Sequence, residues 1–432
     1  MAPRRLSGRR VVIVDGCRTP FLRSMTDYMD LMSYDLGTMA VSALLARSRL
    51  DPGRVDRLIL GTVIADVKTS NVAREVALAA GLPLSVPAYT VTAACTSSNV
   101  AIASGVEAIA AGVADIVIAG GTETSSDVPI RFSRPLRKRL IASTKVKGPG
   151  GYLGLLKGVK LKDFAPDAPA IAEFSTGLTM GDNAERLAKA VGLTREEQDR
   201  YALSSHHRAA KAHKEGLLAD QIAPVSVPPK FAPITFDNGV RADSTYEKLS
   251  TLPPVFDRKF GTVTAGNSSF LTDGASAVLL MSEEKAQELG YEPIAAITAT
   301  AMVALDPVEE LLLGPALAVP AALEQAGVGL ADVGVFEIHE AFAAPVLAVT
   351  KLFKDARWCR DRLGLENALG EIDPARLNAW GGSLSIGHPF GATGARLMMT
   401  AARRLKHEKA RYGVVSACAA GALGHAMVLE RA

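Results

Sequence analysis

Short β-branched runs alternate with Ala- and Leu-rich stretches of helical length in the first part of the chain. The alternation stops, then resumes in the same order near the end. The first round reads Val11 to Val14, a helix near Leu36 to Ala46, Arg57 to Leu60, a helix around Val72 to Ala80, Tyr89 to Thr92, a helix opened by Cys95, and Ala114 to Glu123. Strands alternating with helices imply a mostly parallel sheet covered on both faces. Gly274 to Met281 and Ile294 to Val303 bring the strand signal back, and a second round follows. In it Val333 to Ile338 corresponds to the strand near Leu58. Leu377 to Gly382, with the helix from about Phe390 to Leu405, corresponds to the Tyr89 strand and the Cys95 helix, and Tyr412 to Ser416 to Asp115 to Ala119. The expected fold class is therefore α/β, with two duplicated, α/β/α-layered halves: residues 1–124 with 262–288, and residues 289–432. Two such halves packed together bring matching strand ends to their junction, where clefts in open α/β sheets form.

From about Ser125 to Phe260, clusters of Pro, Gly and Lys/Arg replace the alternation. Helical pieces survive, such as Thr194 to Ser205, which opens on a Thr cap with a Glu three residues on. Residues 125–261 read as an inserted loop subdomain. The length of 432 residues exceeds one ordinary core, and 48% hydrophobic with 22% charged residues is a soluble globular composition. A net charge of +3 makes no demand for nucleic acid. Four cysteines without a CxxC spacing indicate neither a disulfide framework nor a zinc site, so no metal is expected and the thiols read as reduced and cytoplasmic. The N-terminus carries Arg but no apolar core of a leader before Val11, and no apolar run reaches about 18 residues.

Four loops fall at strand ends and carry reactive side chains beside small residues: Ala94-Cys95-Thr96, Ile338-His339-Glu340-Ala341-Phe342, Gly387-His388-Pro389-Phe390-Gly391-Ala392-Thr393-Gly394, and Ala417-Cys418-Ala419-Ala420-Gly421. Cys95 sits where a strand ends and a helix begins, so the positive helix end is expected to favour its thiolate. His388 lies between glycine and proline, on a backbone shaped to hold an imidazole at a helix start. Cysteine with histidine makes an activated nucleophile, and a second cysteine can relay a proton.

At these residues the chain resembles the thiolases, the thioester-cleaving and Claisen-condensing acyltransferases. The resemblance rests on Cys95, Gly387 to Gly391, Cys418 and Gly261 to Ser269, and continues through Arg18-Thr19-Pro20, Gly120 to Glu123, Met180-Gly181, Arg195 to Asp199, Arg241 to Leu249 and Asn378 to Gly382. The run Ala165 to Ser175 and the His-Glu-Ala-Phe at His339 are similar to β subunits of fatty-acid oxidation trifunctional complexes and their bacterial relatives. The resemblance implies that Cys95 becomes acylated, His388 takes its proton, and Cys418 is the acid/base for the α-carbon or the leaving thiolate. It implies oxyanion donors from His388 with His339 or a water, and from the backbone N–H groups of Cys95 and Ala420. Ser269 and Met180, with Phe342 and Arg241, fall among the CoA-binding positions. Coenzyme A would be a substrate, with no permanently bound cofactor. Partners implied are acyl-CoA, a second copy in a homodimer or homotetramer, and a β-oxidation hydratase/dehydrogenase subunit.

Two departures stand out. Most thiolases have Asn where this chain has His339, and the usual glycine-rich run after the second cysteine reads Ala419-Ala420-Gly421-Ala422. The expected activity is thiolytic cleavage of 3-ketoacyl-CoA. Acetoacetyl-CoA synthesis, a ketoacyl synthase and a non-catalytic acyl-CoA or lipid carrier are the alternatives. The second cysteine speaks against the synthase, and the full set of Cys95, His388 and Cys418 against the carrier. Gly120-Gly121 lacks phosphate-loop spacing and reads as a structural turn. His206, His207 and His213 read as solvated on a charged helix, Cys17 and Cys359 as structural, and His425 as able to approach the site from the last strand. Residues 131–162 hold ten Lys or Arg and no Asp or Glu, interleaved with Leu, Ile, Val and Tyr, a pattern for peripheral membrane or partner contact.

Overall fold

The apolar runs form strands largely buried on both faces in β1 (Val11–Arg18), β3 (Arg57–Gly61) and β5 (Ile116–Glu123), with the two-residue β2 (Leu22–Arg23) and the half-buried β4 (Ala88–Val91) completing the first round. A small hairpin, β6 (Val225–Ser226) with β7 (Pro233–Ile234), belongs to the insertion, and β8 (Thr272–Ser282) returns to the first sheet. The second round supplies β9 (Ala295–Ala304), β10 (Val333–Ile338), β11 (Tyr412–Ala419) and β12 (Leu423–Arg431). This computed structural model describes residues 8–167 and 172–432, so the first seven residues and the middle of the Ala165–Ser175 run lie outside the described residues.

The strand order is β10-β11-β12-β9-β1-β8-β5-β3-β4. The duplication is visible in its pairing. In the first half β3 runs parallel to β5 and β5 antiparallel to β8; in the second β10 runs parallel to β11 and β11 antiparallel to β12. The halves join where Val11, Val12 and Ile13 of β1 face Ile297, Ala296 and Ala295 of β9. One expected strand is missing. The counterpart of β4 shrinks to a single bridge between Phe336 and Leu377, because Asn378 turns into the left-handed region (φ 46°) and leaves the sheet.

Helices of the first half are α1 (Ser33–Ser48), α2 (Val72–Ala79) and α3 (Ser97–Ala110). The insertion holds α4 (Arg134–Ser143), α5 (Pro149–Leu156), α6 (Met180–Val191), α7 (Arg195–Lys214) and α8 (Tyr246–Ser250). After α9 (Glu283–Glu288), the second half has α10 (Gly314–Ala326), α11 (Ala343–Phe353), α12 (Ala356–Leu363), α13 (Ser383–Ile386) and α14 (Thr393–Glu408). α1 and α2 pack on one face of the first half's strands, and α10 and α11 on one face of the second half's. The central layer is α3 with α14, packed in one cluster with Val117 and Val278 on one side and Val335 and Val415 on the other. A helix between two sheets must be apolar or small all round, and α3 meets this with alanine, Gly105 and buried Ser97, Ser98 and Asn99. Both reactive loops that precede a helix, at Cys95 and His388, therefore start the two central helices.

In the insertion, Ala184, Leu187 and Ala188 of α6 join the core of the second half, and Ala209 and Ala212 of α7 pack with Trp380 and Ile386. Arg18 fixes it to the first half through a buried two-point pair with Asp237 (2.6 and 2.8 Å), which also meets His213 at 3.2 Å. α7 starts at the Thr194 cap as expected but runs on to Lys214. Of its histidines, His207 is exposed, whereas His206 is buried and accepts from the Arg241 N–H at 3.2 Å, because its face of α7 turns inward.

Candidate active site

Between β4 and α3 the chain makes a tight turn. Ala94 adopts the left-handed region (φ 46°), which costs an L-residue about 1–2 kcal/mol. Side chains lock the turn: the Thr96 hydroxyl donates to the Ala93 carbonyl (2.7 Å) and the Ser97 hydroxyl accepts from the Ala93 N–H (2.9 Å). Strain of this kind persists where the surroundings over-determine it, and it concentrates at functional sites. Here it presents Cys95, which stays partly accessible.

His388 is held by its own loop. Gly387 has φ 111°, and a side chain there would also press on Thr272, whose hydroxyl accepts the His388 N–H at 3.0 Å. The ring nitrogen Nδ1 lies 2.7 Å from Thr393 Oγ1, and the Thr393 hydroxyl donates its one proton to the Pro389 carbonyl (2.9 Å). Nδ1 is therefore the protonated nitrogen and Nε2 carries a lone pair. That Nε2 is buried and has no partner among the described residues. The same loop is braced by Glu123, which accepts from the N–H groups of Gly391 (2.8 Å), Val63 and Ile64. Gly120-Gly121 proves to lie inside β5 and not in a turn. A Cβ on Gly121 would fall 1.8 Å from the Gly391 carbonyl, so the glycine lets the histidine loop approach the strand.

His339 follows β10, its ring centre 4.0 Å from that of His388. Ligand-type atoms of Cys95, His339 and His388 all lie within 4.8 Å of one another, a three-donor group that sequence separation concealed when no metal constellation was expected. Cys418 ends β11 fully buried, near enough for charge on Cys95 to raise its pKa. The backbone N–H groups of Ala420 and of Cys95 both favour the ionised form of the Cys95 sulfur. Ala420 keeps an ordinary φ; the left-handed positions of that loop are Gly421 and Ala422, so the extra methyls leave the donor in place.

The expectation of a resting thiolate fails. Enclosure pushes the Cys95 thiol up to about 12 against those two N–H groups, because desolvation of the anion outweighs two dipoles and the helix itself begins only at Ser97. Burial pushes Cys418 up to about 12 as well. Burial also lowers His388 to about 3 and His339 well below the usual imidazole range, with the Arg396 charge adding to both. Burial thus favours the neutral thiol on Cys95 and the neutral imidazole on His388.

Among the other expected residues, Ser269 donates its N–H to the Ala341 carbonyl (2.9 Å), which places its loop against the His339 loop. Met180 opens α6 and lies against the cluster that contains Phe342 and Cys418. Phe342 is itself core, edge-on to Phe256 at 6.3 Å, so the aromatic supports the loop and does not offer a free face. Arg241 is exposed; its charge reaches Arg23, which stacks on Phe270 at 3.9 Å. His425 is buried on β12 but shares its strand face with Met427 and Leu429, opposite the Cys418 side, and stands outside the three-donor group. Cys17 and Cys359 are buried, with thiols directed at the Ala40 carbonyl and at the Leu352 and Phe353 carbonyls, as structural cysteines would be.

Sequence reading missed the supports. Glu340 accepts from Tyr201, Asn378, Ser205 and the Leu384 N–H, tying α7 to the His339 loop. Asn378 brackets Ile338 with both ends of its amide. Thr393 could have been found as the hydroxyl five residues after His388 in one glycine-rich loop. Ser383 and Arg396 gave no local signal.

An α/β/α/β/α stack with a cysteine and a histidine at the starts of its two central helices and a second cysteine near the first defines an acyl-transfer enzyme of the thiolase class. The chain belongs to the thiolase family: residues 11–284 match the thiolase N-terminal domain and residues 291–431 the thiolase C-terminal domain. It is 50% identical to the mitochondrial trifunctional enzyme subunit beta of Homo sapiens over 98% of this chain and 88% of that protein. It is 45% identical to the 3-ketoacyl-CoA thiolase of Yersinia enterocolitica, covering 98% of this chain and 97% of the other. The crystal structure of human mitochondrial 3-ketoacyl-CoA thiolase in complex with CoA superposes with a TM-score of 0.84 at 31% identity, over the full length of both chains.

Proposed function

We propose that this thiolase cleaves 3-ketoacyl-CoA in fatty-acid β-oxidation, with CoA as second substrate and acetyl-CoA and a shortened acyl-CoA as products. The observation that carries the reading is the cluster of Cys95, His339 and His388 within 4.8 Å, with both imidazole Nε2 atoms unpartnered. Cys95 gives its proton to His388 Nε2 and attacks the 3-keto carbon. The bond between the α- and β-carbons breaks, Cys418 protonates the α-carbon, and acetyl-CoA leaves. Cys418 then takes the proton of incoming CoA, whose thiolate collects the acyl group from Cys95, and the departing Cys95 thiolate takes back the proton held by His388. His388, once protonated, and His339 face the oxyanion of one half-reaction; the N–H groups of Cys95 and Ala420 face that of the other. The scheme requires no resident cofactor. Ser269 and Met180 would border the pantetheine channel, and Arg241 with Arg23 would meet the CoA phosphates. The imidazole of His339 in place of an amide supports the degradative direction over acetoacetyl-CoA synthesis. Steady-state thiolysis across 3-ketoacyl-CoA chain lengths tests this: turnover extending to long chains is expected. Cleavage confined to acetoacetyl-CoA would favour the synthetic alternative, and no CoA-dependent cleavage at all would reject the assignment.

The proposal extends to assembly. β4 is an edge strand, whose free backbone groups favour pairing with a second copy; a homodimer or homotetramer should appear by light scattering, and a monomer at micromolar concentration would contradict it. Residues 131–162 form α4 and α5, pinned to each other by the Arg139 guanidinium on the Leu155 and Lys157 carbonyls. Around them Ile141, Tyr152, Leu153 and Leu161 are exposed beside the lysines and arginines. This supports a peripheral membrane contact, or a contact with a hydratase/dehydrogenase subunit, through the same surface. Binding to anionic vesicles that weakens when Leu153, Leu155 and Leu156 are changed to Ser is expected. No vesicle binding at low salt would remove the membrane version.

A further inference from the structure

A chain of buried charge runs from α14 to the reacting sulfur. Arg404, Glu337, Arg396, Ser383 and His339 are all almost wholly inaccessible. Arg404 Nη1 meets Glu337 Oε1 at 2.8 Å, and Arg396 Nη1 lies 3.7 Å from Glu337 Oε2. Arg396 Nη2 then donates to Ser383 Oγ at 2.9 Å, and Ser383 Oγ lies 2.9 Å from His339 Nδ1.

The donor inventory decides which way the last bond runs. A guanidinium only donates, so Ser383 Oγ must accept from Arg396. The one serine proton then has His339 Nδ1 as its remaining partner among the described residues. Nδ1 therefore accepts, and the neutral imidazole carries its proton on Nε2. That nitrogen is buried and has no partner among the described residues, and His339 belongs to the three-donor group with Cys95 and His388. The neighbouring His388 has the opposite arrangement, since Thr393 leaves Nδ1 as donor and Nε2 as lone pair.

We infer that Ser383, held by Arg396, is a positioning residue that fixes the Nε2–H tautomer of His339, so that two adjacent imidazoles divide the work: His388 receives the thiol proton and His339 is a standing donor for the oxyanion. This deepens the thiolase reading and rests on it. With the other tautomer, His339 would turn a lone pair toward the developing negative oxygen and repel it. Glu337 and Arg404 make the arrangement sustainable, because the buried Arg396 charge needs a counter-charge. Arg396 also opposes a second positive charge on either imidazole.

The test uses Ser383→Ala, His339→Asn and the double variant, in the full-length enzyme. Removing a whole oxyanion donor costs about 10²–10³ in kcat elsewhere; freeing a tautomer should cost less, so Ser383→Ala is expected to lower thiolysis kcat about 10- to 100-fold with little change in KM. In the His339→Asn background the same change should cost nothing further, because no imidazole remains to be set. Equal losses in both backgrounds would show a merely structural serine and overturn the inference. A second measurement is independent of activity: the ring ¹⁵N shifts of His339, assigned by its disappearance in His339→Asn, should report protonated Nε2 in the parent and a mixture in Ser383→Ala. Protonated Nδ1 in the parent would overturn the inference even if thiolysis is present, whereas absent thiolysis with protonated Nε2 would count against the functional reading alone.

Discussion

Cys95→Ala is expected to lose turnover and covalent acylation together while the fold survives. The side chain is small and partly accessible, and its turn is held by Thr96 and Ser97, not by the sulfur. Loss of a covalent nucleophile elsewhere costs 10⁴-fold or more, so about that order is expected here. Intact-protein mass spectrometry after incubation with an acyl-CoA should show one acyl adduct on the parent and none on the variant; an adduct persisting on Cys95→Ala would sink the assignment. The pH dependence of the parent adds a sign. With the thiol pushed up to about 12, the thiolate fraction rises tenfold per pH unit through the neutral range. Alkylation by iodoacetamide should therefore accelerate about tenfold per unit between about pH 6 and pH 9. A flat profile there would mean a preformed thiolate–imidazolium pair.

Layering was legible in the sequence because both rounds obey the same strand and helix periods. The mostly parallel sheet expected from that alternation is in fact mixed: β3 with β4 and β5, and β10 with β11, run parallel, whereas β1, β8, β9 and β12 pair antiparallel, which apolar runs alone do not distinguish. The missing counterpart of β4 was not legible either, since the left-handed Asn378 that ends it carries no compositional mark. Gly120-Gly121 misled for a related reason: glycine signals a turn locally, but here it answers to a carbonyl 270 residues away in sequence, Gly391. Cys95, His388 and Cys418 were readable because each sits among small residues at the end of a strand or the start of a helix. Their protonation was not, because it depends on how much water the assembled halves exclude. A helix-end dipole contributes about 0.3–1 kcal/mol at a surface, less than one pKa unit, whereas burial of an ion shifts a pKa by up to 3–5 units. The larger effect wins, and only the fold reveals it. Ser383 lies 44 residues from the histidine it orients, so no local pattern could announce it.

Cys418→Ser should separate the two halves of the reaction. Burial raises the pKa of Cys418, and charge on Cys95 raises it further. Once Cys95 is acylated that charge cannot form, so the electrostatic obstacle to deprotonating Cys418 falls away at the step that needs a base. A serine hydroxyl is a far weaker acid than a thiol and cannot take this part. Proton transfer by a positioned group contributes about 10²–10⁴-fold, and condensation of acetyl-CoA, which requires removal of an α-proton, should fall by that order. Acylation of Cys95 by an acyl-CoA should persist, because its leaving group is a thiolate with a pKa near 8.5 that departs without an acid, unlike a carbanion. Substitution of sulfur by the smaller oxygen in the packed end of β11 leaves the fold intact. The decisive result is therefore a variant that shows the acyl adduct by mass spectrometry yet condenses slowly. Parental condensation rates in Cys418→Ser would make this cysteine structural and leave the α-carbon proton to His388 or to solvent.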